Sequence, residues 1–152
     1  MDSLESDWIS THLDHLHDNF ERFPFQQTTV SVDSEEFRSA RKRGNVADVR
    51  IRITGPEGTV GIESGGETVH PGGTVESTRP LSAAAVEFAS LQAGVEFEIE
   101  GVRQASLVCL KDRSTDAQVH ELSVVFDASY ANGTLVDEAV WRDPETVRSP
   151  AT

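Results

Sequence analysis

The chain has 152 residues, a length that fits one domain with one hydrophobic core. Its net charge of −13 argues against nucleic acids and membranes as partners, because phosphate backbones and anionic lipids repel such a field. No apolar run approaches the roughly 20 residues that cross a bilayer, and no secretory signal pattern is present, so we expect a cytoplasmic protein. The single cysteine, Cys109, allows no intramolecular disulfide and is predicted to be a buried strand residue.

The acidic residues are spread along the whole chain and form no block. There are 26 of them against 13 basic residues, and only Lys42 and Lys111 are lysines. This profile is typical of proteins that work in molar salt, where the Debye length falls to about 3 Å and repulsion between like charges is screened. The alternative is an acidic surface that binds a partner, which a compact block of charge would favour.

The first 48 residues are predicted to form three elements. Apolar residues at three- and four-residue spacing predict a helix over 6–20, and β-branched residues predict a strand over 28–32. Asp33 is placed to cap a second helix over 34–42. Three histidines of the first helix lie off its apolar stripe, so we expect a solvated face there rather than a metal site; they are His12, His15 and His17.

From residue 49 apolar and polar residues alternate, which predicts a hairpin of strands at 49–53 and 59–62. A strand at 67–70 leads into a loop and a helix over 80–92 that stops at Gly94. Further strands are predicted at 95–100, 105–110, 121–126 and 135–141, followed by a short helix that opens at Asp143. Strands on both sides of one helix predict an α+β fold in which helices cover a mixed sheet.

The segment from His70 to Val95 resembles the Nudix box, whose pattern is G-x5-E-x7-R-E-U-x-E-E-x-G-U with U aliphatic. Without a gap, the framework agrees at Pro71 to Gly73, at the small pair Ala84-Ala85 and at the closing Gly94-Val95. The resemblance implies a Nudix-like α/β/α sandwich with a mixed β-sheet over residues 49–147. Residues 1–48 are then an N-terminal helical extension packed on this domain, and residues 148–152 are predicted to be a disordered tail.

The acidic half of the box is missing from this chain. Arg79 stands where the family has its first Glu, Glu87-Phe88 where it has Arg-Glu, and Leu91-Gln92 where it has Glu-Glu. In the family these carboxylates hold Mg²⁺ or Mn²⁺, which prefer oxygen ligands. Positions 88, 91 and 92 share one helix face, which is mainly apolar here. We expect this face to pack against the core or to line an apolar pocket. We therefore expect no metal cofactor.

Three functions are consistent with this sequence. The first is a catalytically degenerate Nudix-like domain that binds a nucleotide-like small molecule or a protein partner. Its ligand-binding candidates, around the inherited cleft, are His70, Gly72, Gly73, Arg79, Phe88 and Leu91. Arg79 would offer an anion a fixed positive fork.

The second function is a metal-dependent hydrolase of nucleoside diphosphate-linked compounds. It would need Mg²⁺ or Mn²⁺ held by relocated carboxylates, for which the candidates are Glu76, Glu87, Asp137 and Glu138. A third function is structural, as a subunit with Trp8, Trp141 or the first helix at an interface. The sequence contains no G-x-S-x-G turn, the pattern that would indicate a serine nucleophile.

The charge excess predicts that the fold needs salt. Because the acidic groups repel one another once screening is removed, the midpoint of thermal unfolding should rise from low to molar KCl. Circular dichroism over that range of KCl measures the midpoint. A flat or falling trend would contradict adaptation to high salt and would favour an acidic partner-binding surface.

Overall fold

The structure, a computed structural model, describes residues 3–20, 22–43, 46–75 and 80–148. The helices are α1 (Ser3–Asn19), α2 (Ser34–Arg43) and α3 (Leu81–Ala93), with a 3-10 turn at Pro144–Thr146. The strands are β1 (Phe25–Val32), β2 (Val46–Gly55), β3 (Gly58–Ser64), β4 (Glu67–Val69), β5 (Gly72–Val75), β6 (Glu96–Asp112), β7 (Gln118–Asn132) and β8 (Ala139–Arg142). Among the described helices, none is long and apolar enough to cross a membrane.

The described strands form one mixed sheet in the order β1-β6-β7-β2-β3-β4. In addition, β5 pairs with β2 and β8 pairs with β3. Two of the pairings are parallel, β1 with β6 and β2 with β7, and the others are antiparallel. The predicted α+β fold with a mixed sheet is therefore confirmed.

One face of the sheet carries the main core. The alternate residues Val49, Ile51 and Ile53 of β2 are fully buried, as the period-two pattern predicts. Four alanines of α3 are also fully buried, and these short side chains let the helix approach the sheet closely; they are Ala84, Ala85, Ala89 and Ala93. Phe126 of β7 completes this core and contacts the ring of Phe20.

The helices lie on both faces of the sheet. Leu16 of α1 packs into the same core as α3. Helix α2 instead belongs to a separate apolar cluster, in which its Phe37 packs with Val32 of β1 and Val119 of β7. Because neighbouring residues of a strand point to opposite faces, Val119 and Leu122 place α2 across the sheet from α3. The architecture is the predicted α/β/α sandwich.

One histidine of α1 is not where its sequence suggested. His12 was expected on a solvated face, but it is fully buried. It precedes Leu16 by one helical turn, so the two side chains lie on the face that meets the sheet. His15 is half-buried, whereas His17 is exposed and stacks on Phe23.

Two predicted strand boundaries differ in the structure. The strands expected at 95–100 and 105–110 are one long strand, β6, because three register shifts near Gly101 bend it without ending its pairing with β7. The last strand, expected from 135, begins only at Ala139. Arg148, the first residue of the predicted tail, forms a bridge with Val69, and residues 149–152 lie outside the described part of the chain.

Candidate functional site

Helix α3 is joined to the start of β5 by a paired hydrogen bond. The Gln92 Nε2 atom donates to the Gly72 carbonyl oxygen at 2.7 Å, and the Gln92 Oε1 atom accepts from the Gly72 backbone N–H at 2.9 Å. The side-chain amide thus satisfies both peptide groups of a buried glycine. Gln92 stands where the resemblance places a metal-binding Glu, and in this chain that position holds the start of β5.

The cleft beside Gly73 is filled by Phe88. A Cβ atom added at Gly73 would lie 2.8 Å from the Phe88 Cε1 atom, so a larger residue there would have to displace this ring. At Gly72 an added Cβ would lie 1.9 Å from the Val49 carbonyl oxygen. The glycine pair therefore lets the start of β5 pair closely with β2 while Phe88 of α3 packs on it.

Leu91 does not continue the apolar stripe of α3 that the sequence suggested. Its side chain is 76% exposed, because the stripe that faces the sheet is formed by Leu81 and the alanines. Leu91 instead lines a pocket of about 400 Å³. The residues around this pocket are Ile62, Leu91, Gln92, Val136, Asp137 and Glu138.

The structure brings two of the four candidate relocated carboxylates together. Asp137 and Glu138 are exposed neighbours just before β8 and share the pocket with Gln92. Glu87 is an exposed residue of α3. Glu76 and the ligand-binding candidate Arg79 lie outside the described residues.

The residues at the family's metal position do not fit a divalent cation. Mg²⁺ and Mn²⁺ need several oxygen ligands, but the Gln92 oxygen is already bonded to Gly72, and Phe88 and Leu91 offer carbon only. Within residues 3–20, 22–43, 46–75 and 80–148, no group of three His, Cys, Asp or Glu side chains is placed to hold a metal ion.

A second group of polar residues lies on the opposite face of the sheet. Arg50 and Arg52 alternate with the core residues of β2 and so project away from α3. Arg50 donates to the His70 carbonyl oxygen at 3.0 Å and pairs with Asp48 at 3.2 Å. The alternation of Arg50 and Arg52 with apolar residues is visible in the sequence, but no sequence pattern links these arginines to His70.

Arg103 of β6 completes this group, which we call the arginine cluster (Arg50, Arg52 and Arg103). Arg103 lies 3.7 Å from Asp127, the residue that faces Arg52 across the β2–β7 pairing. Burial, and to a smaller extent the charges of Arg52, Arg103 and Arg50, together lower the pKa of His70 to about 4. His70 is only 7% exposed, and the structure gives its Nδ1 atom no hydrogen-bond partner among the described residues.

Comparison with known proteins bears on the fold. Neither a protein-family model nor a curated protein sequence matches the chain. Among solved structures, a UDP-X diphosphatase matches with a TM-score of 0.52 at 16% identity, over 78% of this chain and 63% of its own. A MutT mutator protein from Bacillus halodurans matches with a TM-score of 0.51 at 12% identity, over 70% of this chain and 76% of its own.

A NUDIX hydrolase from Nitrosomonas europaea also matches, with a TM-score of 0.44 at 13% identity over 69% of this chain and 81% of its own. The chain spans less than two thirds of the length of the UDP-X diphosphatase. The mixed sheet between α3 and α2 is a fold that this chain shares with the UDP-X diphosphatase and the MutT protein. The chain has a Nudix-like fold.

The paired hydrogen bond predicts the effect of placing a carboxylate at position 92, as the Nudix box has. The Gln92→Glu substitution removes the donor and sets a carboxylate against the Gly72 carbonyl oxygen, so unfolding should become easier by about 1–3 kcal/mol near neutral pH. Protonation restores a donor, so the fold raises the pKa of the new carboxyl. The loss should therefore be largest at high pH and shrink as pH falls through that raised pKa.

Urea unfolding at several pH values in molar KCl measures this difference against the original chain. Ser90→Glu is the matched control, because Ser90 is an exposed residue of the same helix and the substitution adds the same charge. Equal losses of stability for both variants would show that the Gln92 bonds contribute nothing specific.

Proposed function

We propose that this domain is catalytically degenerate and acts by binding an anionic, nucleotide-like ligand. The observation that carries the first half is the contact between Gln92 and Gly72, in which the position of a Nudix metal ligand holds the start of β5. The arginine cluster supports the second half. The fold similarity alone does not indicate the class of ligand.

The loss of catalysis follows from what Nudix-type hydrolysis needs. A divalent ion must neutralise a diphosphate and activate water, and the protein must supply oxygen ligands for that ion. Here Phe88 and Leu91 offer a cation carbon atoms only, and the Gln92 oxygen already accepts from the Gly72 N–H, so these three positions supply no free oxygen ligand. The same part of the helix instead contacts the start of β5 through Gln92 and Phe88.

The arginine cluster offers an anion positive charge, chiefly through Arg52 and Arg103, because Arg50 already donates to Asp48 and to the His70 carbonyl oxygen. Three guanidinium groups stand against two carboxylates, those of Asp48 and Asp127, in a chain whose net charge is −13. Guanidinium groups bind phosphate oxygens through parallel hydrogen bonds. Helix α2 packs near Val119, at the other end of β7 from Asp127, so it leaves Arg103 half exposed.

Binding is tested by titrating ADP-ribose and simple nucleotides in molar KCl with calorimetry. Arg52→Ala and Arg103→Ala should each weaken binding about tenfold, the usual effect of losing a charged hydrogen bond. Arg142→Ala is the control, because Arg142 is an exposed arginine of β8 that pairs with Glu63 instead. A bound anion should also raise the pKa of His70 from about 4, which NMR detects.

No binding by the original chain, or equal binding by all three variants, would contradict the proposed ligand. The domain would then be expected to bind a protein partner instead of a nucleotide-like ligand.

A metal-dependent hydrolase is the second candidate, and one observation favours it. Asp137 and Glu138 share a pocket of about 400 Å³ with Gln92, close to the family's catalytic helix face. Two carboxylates are a start for a cation site, and Glu76 or Glu87 would have to add further oxygen ligands.

Hydrolysis separates the two candidates. With Mg²⁺ or Mn²⁺ in molar KCl, we expect no turnover above a buffer control for ADP-ribose, dinucleoside polyphosphates or nucleoside triphosphates. Circular dichroism of the same sample must show a folded protein, since an unfolded chain is inactive for another reason. Turnover that is abolished by a chelator and by Asp137→Asn, Glu138→Gln, Glu76→Gln or Glu87→Gln would establish the hydrolase instead.

A further inference from the structure

Strand β1 forms one edge of the sheet and is exposed along nearly its whole length. Within the described strands it pairs only with β6, and every residue from Phe25 to Ser31 is exposed. We infer that two copies of this chain pair through the free edge of β1, antiparallel and centred on Thr28, to form a homodimer. This inference is independent of the proposed ligand.

The outer edge of β1 carries backbone groups that are directed away from the sheet. The Ala105 N–H donates to the Pro24 carbonyl, and the Arg113 N–H donates to the Val32 carbonyl. Backbone groups of a strand point alternately to its two sides, so the even-numbered residues face β6. The odd-numbered residues therefore direct N–H and C=O outward; they are Phe25, Gln27, Thr29 and Ser31.

One of these outward groups already has a partner. The Ser31 carbonyl accepts a bond of 3.3 Å from the Arg113 side chain. A carbonyl oxygen has two lone pairs, so Ser31 can still accept from a second strand. The contact also supports the outward direction of this carbonyl.

The sequence of β1 lacks the devices that keep edge strands apart. Monomeric proteins protect a free edge with lysine, proline, bulges or inward-pointing charges. About one residue in four of this chain is charged, yet the eight residues of β1 are Phe-Gln-Gln-Thr-Thr-Val-Ser-Val. In a chain of net charge −13, this is an edge that a second copy can approach without like charges meeting.

Charges at the two ends of β1 favour antiparallel pairing of identical copies. The exposed Arg22 precedes the strand, and the exposed acids Asp33 and Glu35 follow it. A two-fold axis at Thr28 places Arg22 of one copy beside Asp33 and Glu35 of the other. The same axis sets Phe25 opposite Ser31 and Gln27 opposite Thr29, so that the outward backbone groups meet as hydrogen-bonded pairs.

The register predicts a site-specific cross-link. Thr28 would face its own copy as a non-hydrogen-bonded pair with Cα atoms about 4.5 Å apart, a distance that a disulfide spans. Thr28→Cys should therefore give a covalent dimer under mild oxidation. Val30→Cys is the control, because its two copies would stand about 13 Å apart, or four strand steps.

Non-reducing electrophoresis of both variants in molar KCl reads out the cross-link, and the unsubstituted chain, whose Cys109 is buried, gives the background. Efficient cross-linking of Thr28→Cys alone supports the register. Equal cross-linking of both variants, or none of either, overturns it.

Light scattering of the unmodified protein tests the dimer itself and should give twice the chain mass of 16.6 kDa. Thr29→Pro removes an outward N–H and leaves the bonds to β6 in place, so it should raise the dissociation constant at least tenfold while circular dichroism stays unchanged. A monomer at all concentrations, or a Thr29→Pro dimer as stable as the original, refutes the pairing.

Discussion

The close approach of α3 to β2 is the constraint on which the site depends. Four alanines of the helix and the fully buried valine and isoleucine side chains of β2 belong to one core, so along most of its buried face the helix has only methyl groups between its backbone and the sheet. At this short distance Phe88 reaches over Gly73, and the Gln92 amide reaches both peptide groups of Gly72. Glycine at both positions of β5 allows this packing, since an added Cβ would collide with the backbone of β2 at Gly72 and with the Phe88 ring at Gly73. The start of β5, the helix and the central strand are thus held together by these contacts.

An amide suits position 92 better than a carboxylate once no metal is present. A carboxylate only accepts hydrogen bonds, so it would leave the Gly72 carbonyl oxygen without a donor and bury a charge beside it. Gln92 donates and accepts in one plane, which matches a peptide group. Carboxylates of this region lie instead at exposed positions, such as Asp137 and Glu138 at the pocket rim, where water solvates their charge.

Local patterns in the sequence predicted the elements well, because helix ends and strand alternation are properties of neighbouring residues. Helix α3 was expected at 80–92 and lies at Leu81–Ala93, with Gly94 as its stop in a left-handed conformation. Contacts between distant residues were harder to foresee. The burial of His12 depends on how α1 lies on the sheet, and the meeting of Arg52, Arg103 and His70 depends on a parallel strand order that no single stretch encodes. The bond between Gln92 and Gly72 links residues 20 positions apart, and the box alignment alone identified Gln92 only as a lost ligand.

A molar salt concentration has the same consequence for recognition at the arginine cluster and at the β1 edge. If the chain works in molar salt, as its composition predicts, attraction between charges acts only over about 3 Å. Long-range steering of a ligand or partner is then lost, and recognition must come from groups that touch. A guanidinium fork on phosphate oxygens and a ladder of backbone hydrogen bonds are both contacts of this kind. The arginine cluster presents guanidinium groups on a face that α2 leaves open, and the outer edge of β1 presents backbone groups in a strand that has no charged residue of its own. The 26 acidic groups then keep the protein hydrated. Another molecule can contact these two neutral or basic surfaces without removing water from carboxylate groups, so the desolvation cost of contact is lowest there.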